Sequence, residues 1–353
     1  MTHVGPTCRR LSALVGLTAV WLLTAAGPAA ADPAGPTHYD SVVTAVETPA
    51  GVAAEIEAEV LGGDAFLVLR VPSGTEVEVA GYDGEPYLRF LAHGAVEVNQ
   101  RAPTHWYNED RYGAEVPQMA DAEASPVWQQ VADEGEYAWH EHRIHWMSPG
   151  IPDQVDPALQ EVQEVWDWEV PVLVDGQVTH VRGELRWHPG PPVWVPVLLV
   201  GLGLGLAGAA VWVLGAPVAV LAGVVGVGSG LAGGLQVTGQ PPGGEGDPFL
   251  VVLPAVGVGA ALLALALRRR DPGGAGAGLL DAAAGLPLLV WGLLQSGALT
   301  RPIAPEPLTG ASLRPVAAAA LGVGSIAVVV LVRRGLGLLP DPLAEDDESG
   351  PAA

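Results

Sequence analysis

Lysine is missing from this chain altogether: its 16 basic residues are all arginine, which reads as a compositional bias toward arginine codons and not as a binding feature. Cysteine is nearly missing too. The single one, Cys8, precedes an apolar run at residues 11–26 and would leave with a cleaved leader, so disulfides and thiolate metal sites are excluded from the mature chain. Basic excess is absent. Residues 32–192 hold 29 Asp and Glu against 7 Arg, a net of -22 out of the whole chain's -23. That block repels nucleic acid and anionic headgroups and attracts cations, which excludes polyphosphate partners. Nucleophile elbows are absent as well, and adjacent carboxylates such as Glu109-Asp110 or Asp133-Glu134 read as solvated surface, so no enzymatic reaction is expected.

The N-terminus has the form of a secretory signal peptide, residues 1–31: Arg9 and Arg10, the apolar core, then Ala29, Ala30 and Ala31 before a cleavage point. From there to residue 192 the chain carries the punctuation of an all-β domain, short runs of Val, Leu, Thr and aromatics between Gly, Pro, Asn and Asp. Strands are expected near residues 41–47, 52–60, 66–71, 75–80, 87–90, 95–99, 136–142, 169–174 and 177–187. Asp175-Gly176 tolerates the positive φ angles of a type I′ turn and joins the last two. Residues 101–126 break the pattern and are expected to cover one end of the sheets. The fold class expected is a β-sandwich of immunoglobulin-like kind, outside the cytoplasm, followed by an α-helical transmembrane bundle.

The bundle follows from long apolar runs. Residues 193–237 are about twice the length that crosses a hydrocarbon core and divide at Gly215-Ala216-Pro217; further spans lie near 249–267, 279–297 and 315–332. Five helices with the acidic domain outside place Arg268, Arg269, Arg270, Arg333 and Arg334 in the cytoplasm and leave only Arg301 and Arg314 outside, whereas four helices reverse that asymmetry. Residues 193–334 are thus read as five spans of a multi-pass cell-membrane protein, and 335–353 as a disordered cytoplasmic tail. Gly201, Gly205 and Ala209, and Ala222, Gly226, Gly230 and Gly234, recur every four residues and suggest that the first two helices form a tight hairpin. The sequence Gly203-x-Gly205-x-x-Gly208 imitates a dinucleotide fingerprint but lies inside a span, with no strand before it and no acidic ribose partner. The spans lack His and Met, which argues against copper passing through them, and Asp281 is read as a solvated helix-start residue.

One segment invites chemistry: Trp139-His140-Glu141-His142-Arg143-Ile144-His145-Trp146-Met147. On an extended strand His140 and His142 share a face, and a bulge or turn after Arg143 would bring His145 and Met147 to the same ion. Imidazoles suit copper, zinc or nickel, and a thioether shifts the preference toward copper, so copper held by His140, His142, His145 and Met147 is the metal expectation, with His105 or His93 available to complete it. The alternative is that these histidines, with Trp128, Trp139, Trp146, Trp166 and Trp168, form a hydrogen-bonded aromatic cluster or a surface for an envelope protein.

The stretches Gly81-Tyr82-Asp83-Gly84-Glu85-Pro86-Tyr87-Leu88-Arg89, residues 108–113 and residues 139–147 together resemble a family of exported actinobacterial membrane proteins with no assigned reaction, across roughly residues 39–187. The resemblance implies domain identity and bacterial export and supplies no mechanism. Small β-sandwich copper-resistance proteins of the bacterial envelope are similar in architecture only; cleavage after Ala31 leaves Asp32 first, where those proteins have histidine. The function expected is a membrane-anchored extracytoplasmic binding or scaffold protein, with a metal-free structural or interaction module as the competing class.

Overall fold

The computed structural model describes residues 34–47, 56–148, 150–241, 246–272 and 274–335. The expected leader, the first part of the strand expected at 52–60 and the tail beyond Gly335 lie outside the described residues.

Ten antiparallel strands occupy the region from Tyr39 to Trp187. They are β1 (Tyr39–Val46), β2 (Glu57–Leu61), β3 (Phe66–Arg70), β4 (Val77–Ala80), β5 (Pro86–Phe90), β6 (Val96–Asn99), β7 (Trp128–Ala132), β8 (Glu136–Trp139), β9 (Gln163–Val174) and β10 (Gln177–Trp187), with a short helix α1 (Pro103–Tyr107) between β6 and β7. One sheet has seven strands in the order β1-β10-β9-β4-β5-β6-β7, and the other has three, β2-β3-β8. The expected all-β domain is present, with its strands divided seven to three. Period-two alternation builds the core: Val77 and Val79 of β4, Val170, Val172 and Val174 of β9, and Val181 and Leu185 of β10 are buried in one cluster with Leu67 and Leu69 of β3. The β9–β10 hairpin turns on Asp175 (φ 48°) and Gly176 (φ 77°), the left-handed pair that a type I′ turn requires.

Three departures from expectation have local causes. Strand β7 is an additional, mostly polar edge strand, Trp-Gln-Gln-Val-Ala, hydrogen-bonded only to β6, so no apolar alternation marks it. Strand β9 starts at Gln163, earlier than residue 169, because Val165 and Trp168 already face the core between outward Glu164, Asp167 and Glu169. Strand β8 stops at Trp139 and does not continue to His142: the Glu141 side chain accepts a hydrogen bond from the Arg143 amide and caps a single 3-10 turn, His142–Ile144.

Beyond Trp187 the chain is helical. Five segments are long and apolar enough to cross a membrane: α2 (Trp194–Trp212), α3 (Val218–Thr238), α4 (Phe249–Arg270), the span Gly276–Leu294 made by α5 (Ala275–Ala283) and α6 (Leu286–Leu294), and α8 (Gly310–Gly335). The chain is a multi-pass membrane protein. The expected break falls between Trp212 and Val218, with Gly215 at φ 65°. The hairpin expected of the first two helices is not formed. Helix α2 lies on α8, where a Cβ at Gly322 would collide with the Gly203 backbone, while α3 lies on α4, where a Cβ at Gly233 would collide with the Leu250 carbonyl. Of the two four-residue stripes, that of Gly201 and Gly205 faces open space, whereas Gly226 and Gly230 face Val258 and Pro254 of α4.

Asp281 is likewise not a solvated residue. It is 2% exposed, and its Oδ1 accepts from the Ala219 amide at 2.9 Å, capping α3 from a neighbouring helix, while its Oδ2 lies 3.4 Å from the Arg268 guanidinium. At the opposite end the β domain is fastened to the segment after α7 (Gly297–Thr300): Thr37 and Ile303 exchange backbone hydrogen bonds of 3.0 and 3.2 Å, and Arg301 Nη1 donates to the Pro36 carbonyl at 3.0 Å.

Candidate functional site

The histidine segment leaves the edge of the smaller sheet and turns back toward the larger one. His140, the first residue after β8, goes into the core: it is 1% exposed, its Nδ1 lies 2.7 Å from the Ala65 carbonyl, and its ring stacks on Phe66 at 4.2 Å. It therefore does not share a face with His142, as an unbroken strand would have required.

Glu141 and Arg143 form a clamp inside the motif. The Glu141 carboxylate is fully buried and accepts from Arg143 Nε at 2.7 Å, from Arg143 Nη2 at 3.0 Å and from Trp139 Nε1 at 2.9 Å. Burial pushes its pKa up, but the Arg143 charge and these hydrogen bonds outweigh it and hold the carboxyl below the usual range. Arg143 also donates to the Ala80 carbonyl at 3.1 Å and stands 5.0 Å over the Tyr82 ring. A second buried pair, Asp64 with Arg111 at 2.6 Å, lies on the same side of the domain, since the Arg111 charge reaches His145.

His142 and His145 come together. Their rings meet edge to face, 5.2 Å between centroids with an interplanar angle of 89°. The His142 amide donates to the Tyr82 hydroxyl at 2.9 Å, its ring stacks on that of Tyr82, and its Nε2 lies 3.1 Å from the Asp110 carbonyl. His145 is completely buried; its Nδ1 lies 3.3 Å from the Trp146 carbonyl, and its Nε2 has no hydrogen-bond partner among the described residues. Burial lowers the pKa of both rings, and for His145 the added charges of Arg111 and His142 bring it to about 3. Both imidazoles are therefore neutral at pH 7. A carbonyl oxygen can only accept, so each ring nitrogen facing one carries the proton: Nε2 in His142 and Nδ1 in His145. The remaining nitrogen of each ring is a bare lone pair.

His142 and Arg143 border a cleft of about 500 Å³ that is also walled by Tyr82, Tyr107, Tyr112, Gly113, Ala114 and Met147. Three separate segments build it. The β4–β5 turn presents Tyr82, held by its amide on Thr104 Oγ1 at 2.8 Å, and buried Glu85 ties the same turn to α1 by accepting from Thr104 Oγ1 at 2.7 Å. Helix α1 and the loop after it supply Tyr107 and Tyr112, and Gly113 at φ 93° lets that loop fold over His142. Met147, 39% exposed, closes the wall from the histidine segment.

Of the four residues expected to hold a metal, the structure places His142 and Met147 in the wall of this cleft, sets the buried His145 ring against that of His142, and turns His140 inward. His105 is engaged elsewhere, against the Gln100 side chain and the Trp106 ring, and His93 is exposed on the β5–β6 turn. Among the described residues no group of three or more His, Asp or Glu side chains converges on one point. No sequence pattern marks the three tyrosines as site residues; their only signal is position, Tyr82 in the β4–β5 turn, Tyr107 at the end of α1 and Tyr112 in the loop after it. No family model, curated protein or solved structure matches this chain.

Proposed function

We propose that this chain is a membrane-anchored binding protein whose β domain faces the extracytoplasmic side and whose cleft beside His142 is the binding site. The observation that carries the reading is the cleft itself: an aromatic-walled cavity whose lining also holds Arg143, fixed by the buried Glu141, the neutral His142 imidazole and the Met147 thioether. Rigid framing of this kind lowers the ordering cost of capturing a ligand. The sidedness is supported by arginine, since Arg268, Arg269, Arg270, Arg333 and Arg334 lie at helix ends remote from the β domain. Among its described residues the bundle has the make-up of an anchor, closed by glycine and alanine, with Asp281 engaged in capping.

Two measurements test this. A Val178→Cys variant, at a position 68% exposed on β10, should react with a membrane-impermeant maleimide on intact cells; reaction only after lysis reverses the topology. Native mass spectrometry of the full chain, taken from its own membranes, should show an adduct that Ala114→Trp, which fills the cleft, no longer carries. No adduct on the wild type, or the same adduct on both proteins, would leave a purely structural or interaction module of the envelope as the better reading.

A further inference from the structure

We propose that the cleft takes a soft monovalent metal ion, Cu(I), held between Nδ1 of His142, Nε2 of His145 and the thioether of Met147. This rests on the binding reading above and names its ligand. Asp110 and Trp146 carbonyls fix the protons of the two rings on the outer nitrogens, the backbone support that orients metal-bound imidazoles, and so leave one unprotonated nitrogen on each ring. The one on His145 is buried without a hydrogen-bond partner among the described residues, a position that costs free energy unless something accepts its lone pair. A donor cannot come from His142, whose own proton is spent on Asp110. A cation lying between the two adjacent rings, 5.2 Å apart at their centroids, can accept both lone pairs.

The donor set then selects the ion. Two imidazoles and a thioether, with neither carboxylate nor thiolate, form a neutral and soft set that suits Cu(I) and leaves a divalent ion without charge compensation. Of the neighbouring arginines, Arg143 is matched by the buried Glu141, and the positive field that Arg111, paired with Asp64, still exerts at His145 favours a monovalent over a divalent ion. Met147 stands at the mouth, 39% exposed, where an arriving ion would meet it first. His140 is left out of the set because its ring is committed to the Ala65 carbonyl and the Phe66 face.

The test is a competition titration of the full chain in detergent, with Cu(I) kept reduced by ascorbate and bicinchoninate as the competing chelator. Wild type should withdraw one equivalent. Met147→Leu should weaken binding about tenfold, and His142→Asn on the order of a hundredfold, at or above the loss usual for a supporting partner. X-ray absorption at the copper edge should show a sulfur neighbour in wild type that Met147→Leu lacks. His145 is fully buried and its replacement puts folding at risk, so the test relies on Met147 and His142. Failure of wild type to compete, or unchanged affinity in both Met147→Leu and His142→Asn, overturns the assignment. A chain that carries a cleft adduct by native mass spectrometry yet takes up no Cu(I) loses the metal and keeps the binding site; a chain with neither loses both.

Discussion

In the β domain two buried ion pairs, Glu141 with Arg143 and Asp64 with Arg111, stand beside a third buried carboxylate, Glu85, that Thr104 holds, whereas the described part of the helical bundle buries one carboxylate, Asp281, and otherwise closes on glycine, apolar side chains and a few uncharged polar ones. The difference follows from the two solvents. A domain in water gains from burying apolar surface and can use that gain to hold desolvated ion pairs that orient a site. Helices in lipid gain little from apolar burial, so they associate where small residues let backbones approach. Trp291 shows the rule: fully buried, it still delivers its indole N–H to the Leu250 carbonyl at 2.9 Å. Buried ion pairs are thus found in the domain, and close backbone contacts in the bundle.

The comparison breaks most readily at the paired charges. Replacing Arg143 by Met strands the buried Glu141 carboxylate, and the β-domain unfolding transition of the full chain, followed by tryptophan fluorescence, should lose about 3–5 kcal/mol. Adding Glu141→Gln should return most of it, and failure to do so would show that Arg143 contributes packing rather than charge. Next in size is acid. His145 has a folded pKa of about 3 against an ordinary 6.5, so the folded state holds fewer protons and this contribution to stability is complete above pH 6.5 and lost as pH falls toward 3. By pH 4 the loss amounts to roughly 3 kcal/mol from His145 alone. Glu141 acts with the same sign in a lower window, its depressed carboxyl stabilising above about pH 4.5 and failing below it. Unfolding curves across pH should flatten between 6.5 and 4 in His145→Asn; an unchanged slope there would assign the acid lability to other groups.

Much of this architecture is readable in the residues because period, length and turn chemistry all agree. Alternation in Val77-Glu78-Val79, the Asp175-Gly176 turn and the length of each apolar run each point to one structure, and those elements are found. The site was readable as a segment and not as a geometry. Whether residues 140–147 stay extended depends on Glu141, whose carboxylate can cap a turn only because Arg143 and Trp139 neutralise it in the folded core. The tyrosine walls come from loops whose meeting is a tertiary fact, as with Thr104 holding Tyr82. In the bundle, glycine spacing offers several candidate stripes, and only the partner decides which one is used: Gly203 and Gly322 meet, while Gly201 does not touch a neighbour.

Gly322→Val pushes a side chain into the Gly203 backbone and should cost roughly 2 kcal/mol or detach α2 from α8, read as a lowered detergent-solubilised melting temperature. Gly201→Val, facing open space, should leave that temperature unmoved. Equal effects would mean that α2 has a second partner on its outer face.

The smallest effect belongs to the one carboxylate that the described part of the bundle buries. Asp281 accepts from the Ala219 amide at 2.9 Å, whereas its arginines lie farther off, Arg268 at 3.4 Å and Arg334 at 3.9 Å, and each is about a third exposed. A cap of this kind is worth about 1 kcal/mol, while long pairs to partly solvated cations add little. Asp281→Ala should therefore lower the stability of the bundle by about 1 kcal/mol, and Asp281→Asn, which keeps an oxygen for the Ala219 amide, should cost a fraction of that. Thermal scanning of the two variants at low and high salt separates the contributions: a loss in Asp281→Asn as large as in Asp281→Ala, and erased by salt, would transfer the fastening of α3 from the cap to the arginines and make the bundle follow the same paired-charge rule as the β domain.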